Sequence, residues 1–304
     1  MAVRTRGGTV LCATDLTETA EEAVRQAHEA ARGRKARLLA LHVLPDPLRQ
    51  HPLLPVGRQV RYARLPAEHA RASDEMRAHL VRALGDRAAA VDLQIEHGRP
   101  HAAIIACAED VGAELIVVGV SASHVGHEAE RVVRYAHGPV LVARPSPPGG
   151  GVLVATDLSD AALPAVAAGV SHARRHGLPL ALLHVVDLRP WLRQPDFAAT
   201  ASVPLADGLR ESLTESARDR LQKALRRFRA TGDVVVESGE PAAVILERAA
   251  RLPAGLVVLG TTGATGVKRM VLGSVAEAVV RHASCSALVV RLPTRSARRV
   301  RRAA

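Results

Sequence analysis

Four glycines, Gly260, Gly263, Gly266 and Gly273, fall within the fifteen residues GTTGATGVKRMVLGS, directly after the apolar run GLVVL. Glycine has no Cβ, so such a segment lets backbone N–H groups close on an anion and permits the positive-φ turns this approach requires. The segment ends in Ser274-Val-Ala-Glu277, the spacing of a capping box, which predicts a helix start with Ser274 as its N-cap. A helix N-terminus presents free N–H groups and the positive end of a dipole, and both favour phosphate. The loop is not a Walker loop, because no GK(S/T) follows four residues after a glycine, and it is not GxGxxG. On composition alone, a glycine-rich turn with no ligand stays open as an alternative.

Such a loop can act only where strand ends hold it, and the chain writes those ends twice. TVLCATDLT (9–17) recurs as GVLVATDLS (151–159), and LLALHVLPD (38–46) recurs as LALLHVVDL (180–188). IEHGRPHAAIIACAEDVGAELIVVG (95–119) matches VESGEPAAVILERAARLPAGLVVLG (236–260), and RVVRYAHGPVLVAR (131–144) matches AVVRHASCSALVVR (278–291). Between the copies lies RPSPPGGG (144–151), which can continue neither a helix nor a strand. Two homologous domains are expected, 1–146 and 149–292, with a basic, disordered tail over 293–304.

Runs such as LLALHV, ELIVVG, VLVA, LVVLG and ALVV are near-continuous and apolar, as strands buried on both faces of a parallel sheet are. Between them, ETAEEAVRQAHEAAR sets Ala20, Ala23, Val24, Ala27 and Ala31 on one helical face, with Thr17 as the expected N-cap. ESLTESARDRLQKALRRF does the same with Leu213, Ala217, Leu221, Leu225 and Phe228. Pro164 falls in the first turns of the helix after TDLS, which predicts a late start. Strands alternating with helices give an α/β fold of two tandem, doubly wound parallel sheets, Rossmann-like in each half. Ligands of such sheets sit outside the carboxyl ends of the strands, where ATDLS, HVVD and the glycine loop all lie.

Composition narrows the function. Aromatic residues are only 2% of the 304, so the core is built from Ala, Val and Leu, and base-stacking modes of nucleic-acid binding are disfavoured. The net charge of +11 is unevenly placed: residues 1–148 carry +2, residues 149–290 carry +3, and the last fourteen carry +6. More than half of the excess therefore lies in the tail, which can hold phosphate polymers loosely. The three cysteines, at 12, 107 and 285, show no CxxC spacing, which suits a reducing compartment. No apolar run is long enough to span a membrane, and the opening residues lack the apolar core of a signal peptide, so a cytoplasmic location is expected. His97 and His101, or His124 and His127, are joined by no cysteine or carboxylate at zinc-site spacing, so no metal site is expected. His42 and His184, at the end of the second strand in each copy, are expected to pack at the sheet rim.

The order Gly260-x2-Gly263-x9-Gly273-Ser274 resembles the nucleotide-binding motif of the universal stress protein family, G-x2-G-x9-G-S/T. TDLS after the first strand, HVVD after the second, G-x-P before the third helix and the closing PVLVAR or ALVVR strand extend the resemblance to a tandem UspA-like chain. It implies the adenine-nucleotide α-hydrolase-like fold, with ATP and Mg²⁺ held in the second domain. Ala155, Thr156 and Asp157 match the family's first-strand contacts, with Asp157 as the acceptor on the adenosine side. Val185 matches the backbone position that reads the adenine edge, Leu259 and Gly260 lie against the ribose, and Gly263, Gly273, Ser274 and Val275 surround the phosphates. Ala155 departs from a proline found in some members, at a position that contributes mainly backbone.

In the first copy the corresponding stretch is GVSASHVGHEAE, six residues shorter, with His127 in place of Ser274. Asp15 and Val43 persist there, so an adenosine half-site is retained in sequence while the phosphate half is lost. The resemblance implies a protective or regulatory role under stress. With no general base, arginine finger or nucleophile in view, ATP hydrolysis is at most slow and incidental. A ligand-free dimerisation module and a nucleic-acid-associated regulator acting through the arginine tail stay open as alternatives. The family's habit of pairing through its last strands further implies an intramolecular pair joining 139–144 to 287–291 antiparallel, with a further homodimer open.

Overall fold

The computed structural model describes residues 8–45, 66–120, 126–146, 149–189, 203–261 and 272–291. The chain divides into two units, Met1–Arg144 and Pro145–Ala304. In the first, β1 (Thr9–Ala13), α1 (Glu21–Arg34), β2 (Arg37–Pro45), α2 (Pro66–Leu84), β3 (Asp92–Gly98), α3 (Pro100–Asp110), β4 (Ala113–Gly119), α4 (His127–Tyr135) and β5 (Val140–Ala143) follow one another. The second repeats the order as β6 (Gly151–Ala155), α5 (Leu163–His176), β7 (Leu180–Val186), α6 (Val203–Arg227), β8 (Asp233–Ser238), α7 (Pro241–Arg251), β9 (Ala254–Gly260), α8 (Ser274–His282) and β10 (Ser286–Val290).

Each unit holds five parallel strands, in the orders β3-β2-β1-β4-β5 and β8-β7-β6-β9-β10. The chain builds outward from the first strand, then returns to its other side. The carboxyl ends of β1 and β4, and of β6 and β9, therefore flank the switch in strand order where a doubly wound sheet opens a crevice. The central strands are buried along their length: Val152, Leu153 and Val154 in β6 and Leu256, Val257 and Val258 in β9 are all core residues. Val154 sits in register between Leu182 and Val258.

The expected apolar faces pack as predicted on α1, where Ala23, Val24, Ala27 and Ala31 are buried. On α6, Ala217, Leu221 and Leu225 are buried, but Leu213 remains 39% exposed and Phe228 lies past the last helical residue. Pro164 delays its helix as expected: a short 3-10 turn over Asp160–Ala162 precedes α5, and Pro164 occupies its first turn. The predicted cap at Thr17 is not made. A 3-10 turn over Glu18–Ala20 intervenes, and the Thr17 hydroxyl donates to Asp15 Oδ1 at 2.6 Å instead of to the helix.

Among the described residues no helix is long and apolar enough to cross a membrane. All three cysteines are buried thiols in no disulfide, and burial pushes the Cys12 thiol up to about 12.

Candidate functional site

The exit from β6 is held by a chain of local hydrogen bonds. Thr156 N donates to the Leu183 carbonyl at 2.9 Å, and His184 donates its Nδ1–H to the Thr156 carbonyl at 2.9 Å. His184 therefore ties the second strand's exit to the first's, which is the rim-packing role expected of it. His42 makes the same bond to the Thr14 carbonyl in the first unit at 2.9 Å. Beyond Thr156 the chain turns through Leu158 at φ 64°, a left-handed conformation that costs a non-glycine residue energy and persists only when its surroundings fix it. Leu158 N donates to Thr156 Oγ1 at 3.1 Å, and Arg220 from α6 donates to the Leu158 carbonyl at 2.8 Å.

That turn aims Asp157. Its Oδ1 accepts from Ser159 N at 3.1 Å and from Ser159 Oγ at 2.7 Å, which fixes the carboxylate. Its Oδ2 is buried and has no hydrogen-bond partner among the described residues. A buried acceptor without a donor is costly, so the position suits a donor brought by a ligand.

On the other side of the crevice, Gly273 closes the far end of the glycine loop. Gly273 N donates to the Thr261 carbonyl at 2.7 Å, and a Cβ at Gly273 would stand 3.1 Å from that oxygen. Glycine therefore suits this close approach of the exit from β9 to the start of α8. Gly273, extended at φ −66° and ψ 151°, is also the N-cap of α8, and its carbonyl accepts from Glu277 N at 2.9 Å. This corrects the expected capping box. Ser274 is the first helical residue instead of the cap, and the Glu277 carboxylate pairs with Arg281 at 3.2 Å. No side chain caps the helix through its N-cap residue, and the amides of its first turn, at Ser274, Val275 and Ala276, lack intrahelical partners. By contrast, α7 begins with Glu240, whose own carboxylate accepts from Ala242 N at 3.2 Å and Ala243 N at 2.6 Å.

Between these walls lies a cavity of about 440 Å³. Nine of the ten residues expected from the sequence line it: Ala155, Thr156, Asp157, Val185, Leu259, Gly260, Gly273, Ser274 and Val275. The tenth, Gly263, lies outside the described residues, as does the body of the loop. Sequence reading missed the apolar part of the wall, Pro241 and Ile245 of α7 and Leu272 before α8. The signal for Pro241 was present in G-x-P; Ile245 follows one helical turn later on the same face.

In the first unit, Asp15 repeats the turn, accepting from Thr17 N at 3.1 Å, and Leu16 repeats the positive φ at 66°. Asp15 is exposed where Asp157 is half-buried. His101 and Glu128 bond to each other, His97 packs near His69, and His124 lies outside the described residues. No cluster of three potential metal ligands occurs among the described residues.

The model of the universal stress protein family matches the chain twice, over residues 8–144 and 151–291. A universal stress protein of Methanocaldococcus jannaschii is 32% identical over 149 residues, which cover 47% of this chain and 82% of that one. A protein of Staphylococcus epidermidis described as a universal stress protein is also 32% identical over 149 residues, covering 46% and 82%. Among solved structures, a universal stress protein from Archaeoglobus fulgidus superposes with a TM-score of 0.65 at 20% identity, covering 94% of this chain and 99% of that one, which bears on the fold alone. With both units matched by the family model and each carrying the five-stranded parallel sheet, the chain belongs to the universal stress protein family as a tandem, two-domain member.

Proposed function

We propose that the second domain binds ATP, with the adenosine against the ends of β6 and β7 and the phosphates toward α8 and the glycine loop. The observation that carries this is a buried acceptor and a helix start facing one cavity from opposite ends. At one end stands the buried Asp157 Oδ2, which needs a donor such as a ribose hydroxyl or the adenine amino group. At the other, the start of α8, whose N-cap Gly273 has no side chain to cap it, offers N–H groups to an anion. The cavity volume lies within the range of small-molecule sites, and Leu259 and Ile245 give it the apolar wall a purine face requires. Asp157 is the one carboxylate among the described lining residues, so Mg²⁺ would arrive on the phosphates, with Ser274 the hydroxyl-bearing residue of the lining at that helix start.

The role is binding, with ATP hydrolysis slow and incidental, and its output is a ligand-dependent change of conformation or partner that serves a protective or regulatory response. The test is direct. Mass spectrometry of small molecules released from freshly purified, denatured protein should find an adenine nucleotide, and calorimetry should give one ATP per chain. Protein that carries no nucleotide and shows no binding heat with ATP would instead be a ligand-free dimerisation module.

A further inference from the structure

The two domains differ at one place that the shortened loop does not explain. In the first, α3 starts at Pro100, which has no N–H, so His101 carries the first free amide of that helix. The matching helix in the second domain is capped by Glu240, but the matching residue here is Arg99, whose side chain cannot accept a hydrogen bond. The acceptor comes from elsewhere. Glu128, the second residue of α4, accepts the His101 backbone N–H at 2.9 Å and the His101 Nδ1–H at 2.8 Å, both on Oε2. Its other oxygen lies 3.5 Å from Arg131 of the same helix. With Gly126 aligned on Gly273, the residue matching Glu128 is Val275, and the residue matching His101 is Ala242.

The bond therefore spans the starts of α3 and α4, the counterparts of the two helix starts that contribute Pro241, Ile245, Ser274, Val275 and Ala276 to the cavity of the second domain. A carboxylate placed there brings its own negative charge to the end of the crevice where the second domain has a glycine N-cap and a valine. We propose that Glu128 sets the ligand specificity of the first domain: it is a built-in anion that excludes phosphorylated ligands from that rim. The exchange is reciprocal. Where the third helix supplies its own cap, as Glu240 does, the following helix can carry valine and leave the crevice open. Where arginine stands at the cap, the following helix lends a carboxylate and closes it. This rests on the nucleotide assignment for the second domain only in naming the ligand; the bond itself can be measured without one.

The experiment uses the full chain, labelled for NMR and titrated with AMP, in the wild type, in Glu128→Gln, which removes the charge and keeps the shape, and in Arg99→Glu/Glu128→Val, which installs the second domain's arrangement. In the wild type, the His101 amide should be protected from hydrogen exchange, and AMP should leave the resonances of Ala13, Val43 and Gly119 in place. Both variants should show AMP-dependent shifts at those three residues, and the double variant should keep the His101 protection, its amide capped by the glutamate at 99 as Ala242 is by Glu240. Fast exchange at His101 in the wild type, or a wild-type response of Ala13, Val43 and Gly119 to AMP, overturns the proposal. So does a folded Glu128→Gln chain whose first-domain rim still ignores AMP, since the loop length would then be what excludes it. The ligand assigned to the second domain is judged separately, on the resonances of Ala155, Val185 and Gly260 in the same titrations.

Discussion

Asp157 divides its work between its two oxygens, and a substitution can separate them. Asp157→Asn can keep the acceptor that holds Ser159 while replacing the buried Oδ2 with an amide donor. A hydrogen bond to a charged group is worth about 1.5–3 kcal/mol, so ATP affinity should fall by roughly tenfold or more by calorimetry, with the thermal midpoint little changed. Ser274 gives the complementary case. As the first helical residue and not the cap, Ser274→Ala should leave stability unchanged in denaturant melts, yet weaken ATP more than adenosine. Equal losses for the two ligands would remove Ser274 from the phosphate end. The carboxyl of Glu128 makes a third prediction. Burial by itself would raise it, but the His101 amide, the His101 ring and Arg131 together hold it below the ordinary carboxylate range. A depressed carboxyl stabilises the fold above its unfolded pKa, about 4.3, and that stability is lost as pH falls through the folded value. Acid unfolding of the first domain, followed at His101, should therefore shift to higher pH in Glu128→Gln.

At the scale of elements, the residues that keep sheet and helix in contact are matched in pairs. A Cβ at Gly169 of α5 would lie 2.3 Å from Val154 Cγ2 on β6, and valine's stiff side chain cannot swing aside. In the first domain the matching positions hold Ala27 and Cys12, both fully buried: a larger residue on the helix and a smaller one on the strand. Gly169→Ala should destabilise the second domain by about 1–3 kcal/mol in chemical melts through overpacking, and Gly169→Ala/Val154→Cys should recover most of that loss. Strands and helices were legible because two-sided burial leaves continuous apolar runs and one-sided burial leaves a period, as on α1. Helix starts were not. Thr17 and Ser274 have the side chains of N-caps, but a 3-10 turn and a preceding glycine took those places, and such turns leave no periodic trace. Most of the site was legible because glycines and the residues at strand ends are fixed by chain direction and strand order. The bond between His101 and Glu128 was not, because it joins helix starts 27 residues apart with no motif between them.

Over the whole molecule, duplication has given two copies of one scaffold that need not share one task. The expected stoichiometry of one ATP per chain is the whole-molecule form of the difference between GTTGATGVKRMVLGS and GVSASHVGH. How the copies associate is a separate prediction. β5 and β10 each end their own domain's strand order, and both are apolar. If they meet as an intramolecular pair, Val142→Lys with Val289→Lys should separate the domains and raise the radius of gyration in solution scattering, because an apolar edge resists a buried charge. An unchanged scattering profile in the double variant would assign the association to other surfaces.

The bond from Gly273 N to the Thr261 carbonyl has a consequence for how such a chain can change over time. It joins the two feet of the intervening segment, Thr261 and Gly273, so the exit of β9 and the start of α8 are held together outside that segment. Closing a flexible loop costs only about 0.6 kcal/mol for each doubling of its length. Residues can therefore be added between the feet, or removed, with little effect on whether the domain folds; on the binding proposed above, the hold on a ligand's anionic end would change with them. The six-residue difference between the copies is then a change that selection on stability would barely register. Removing residues 264–269 from the second domain should leave its melting curve nearly where it was and abolish its response to ATP.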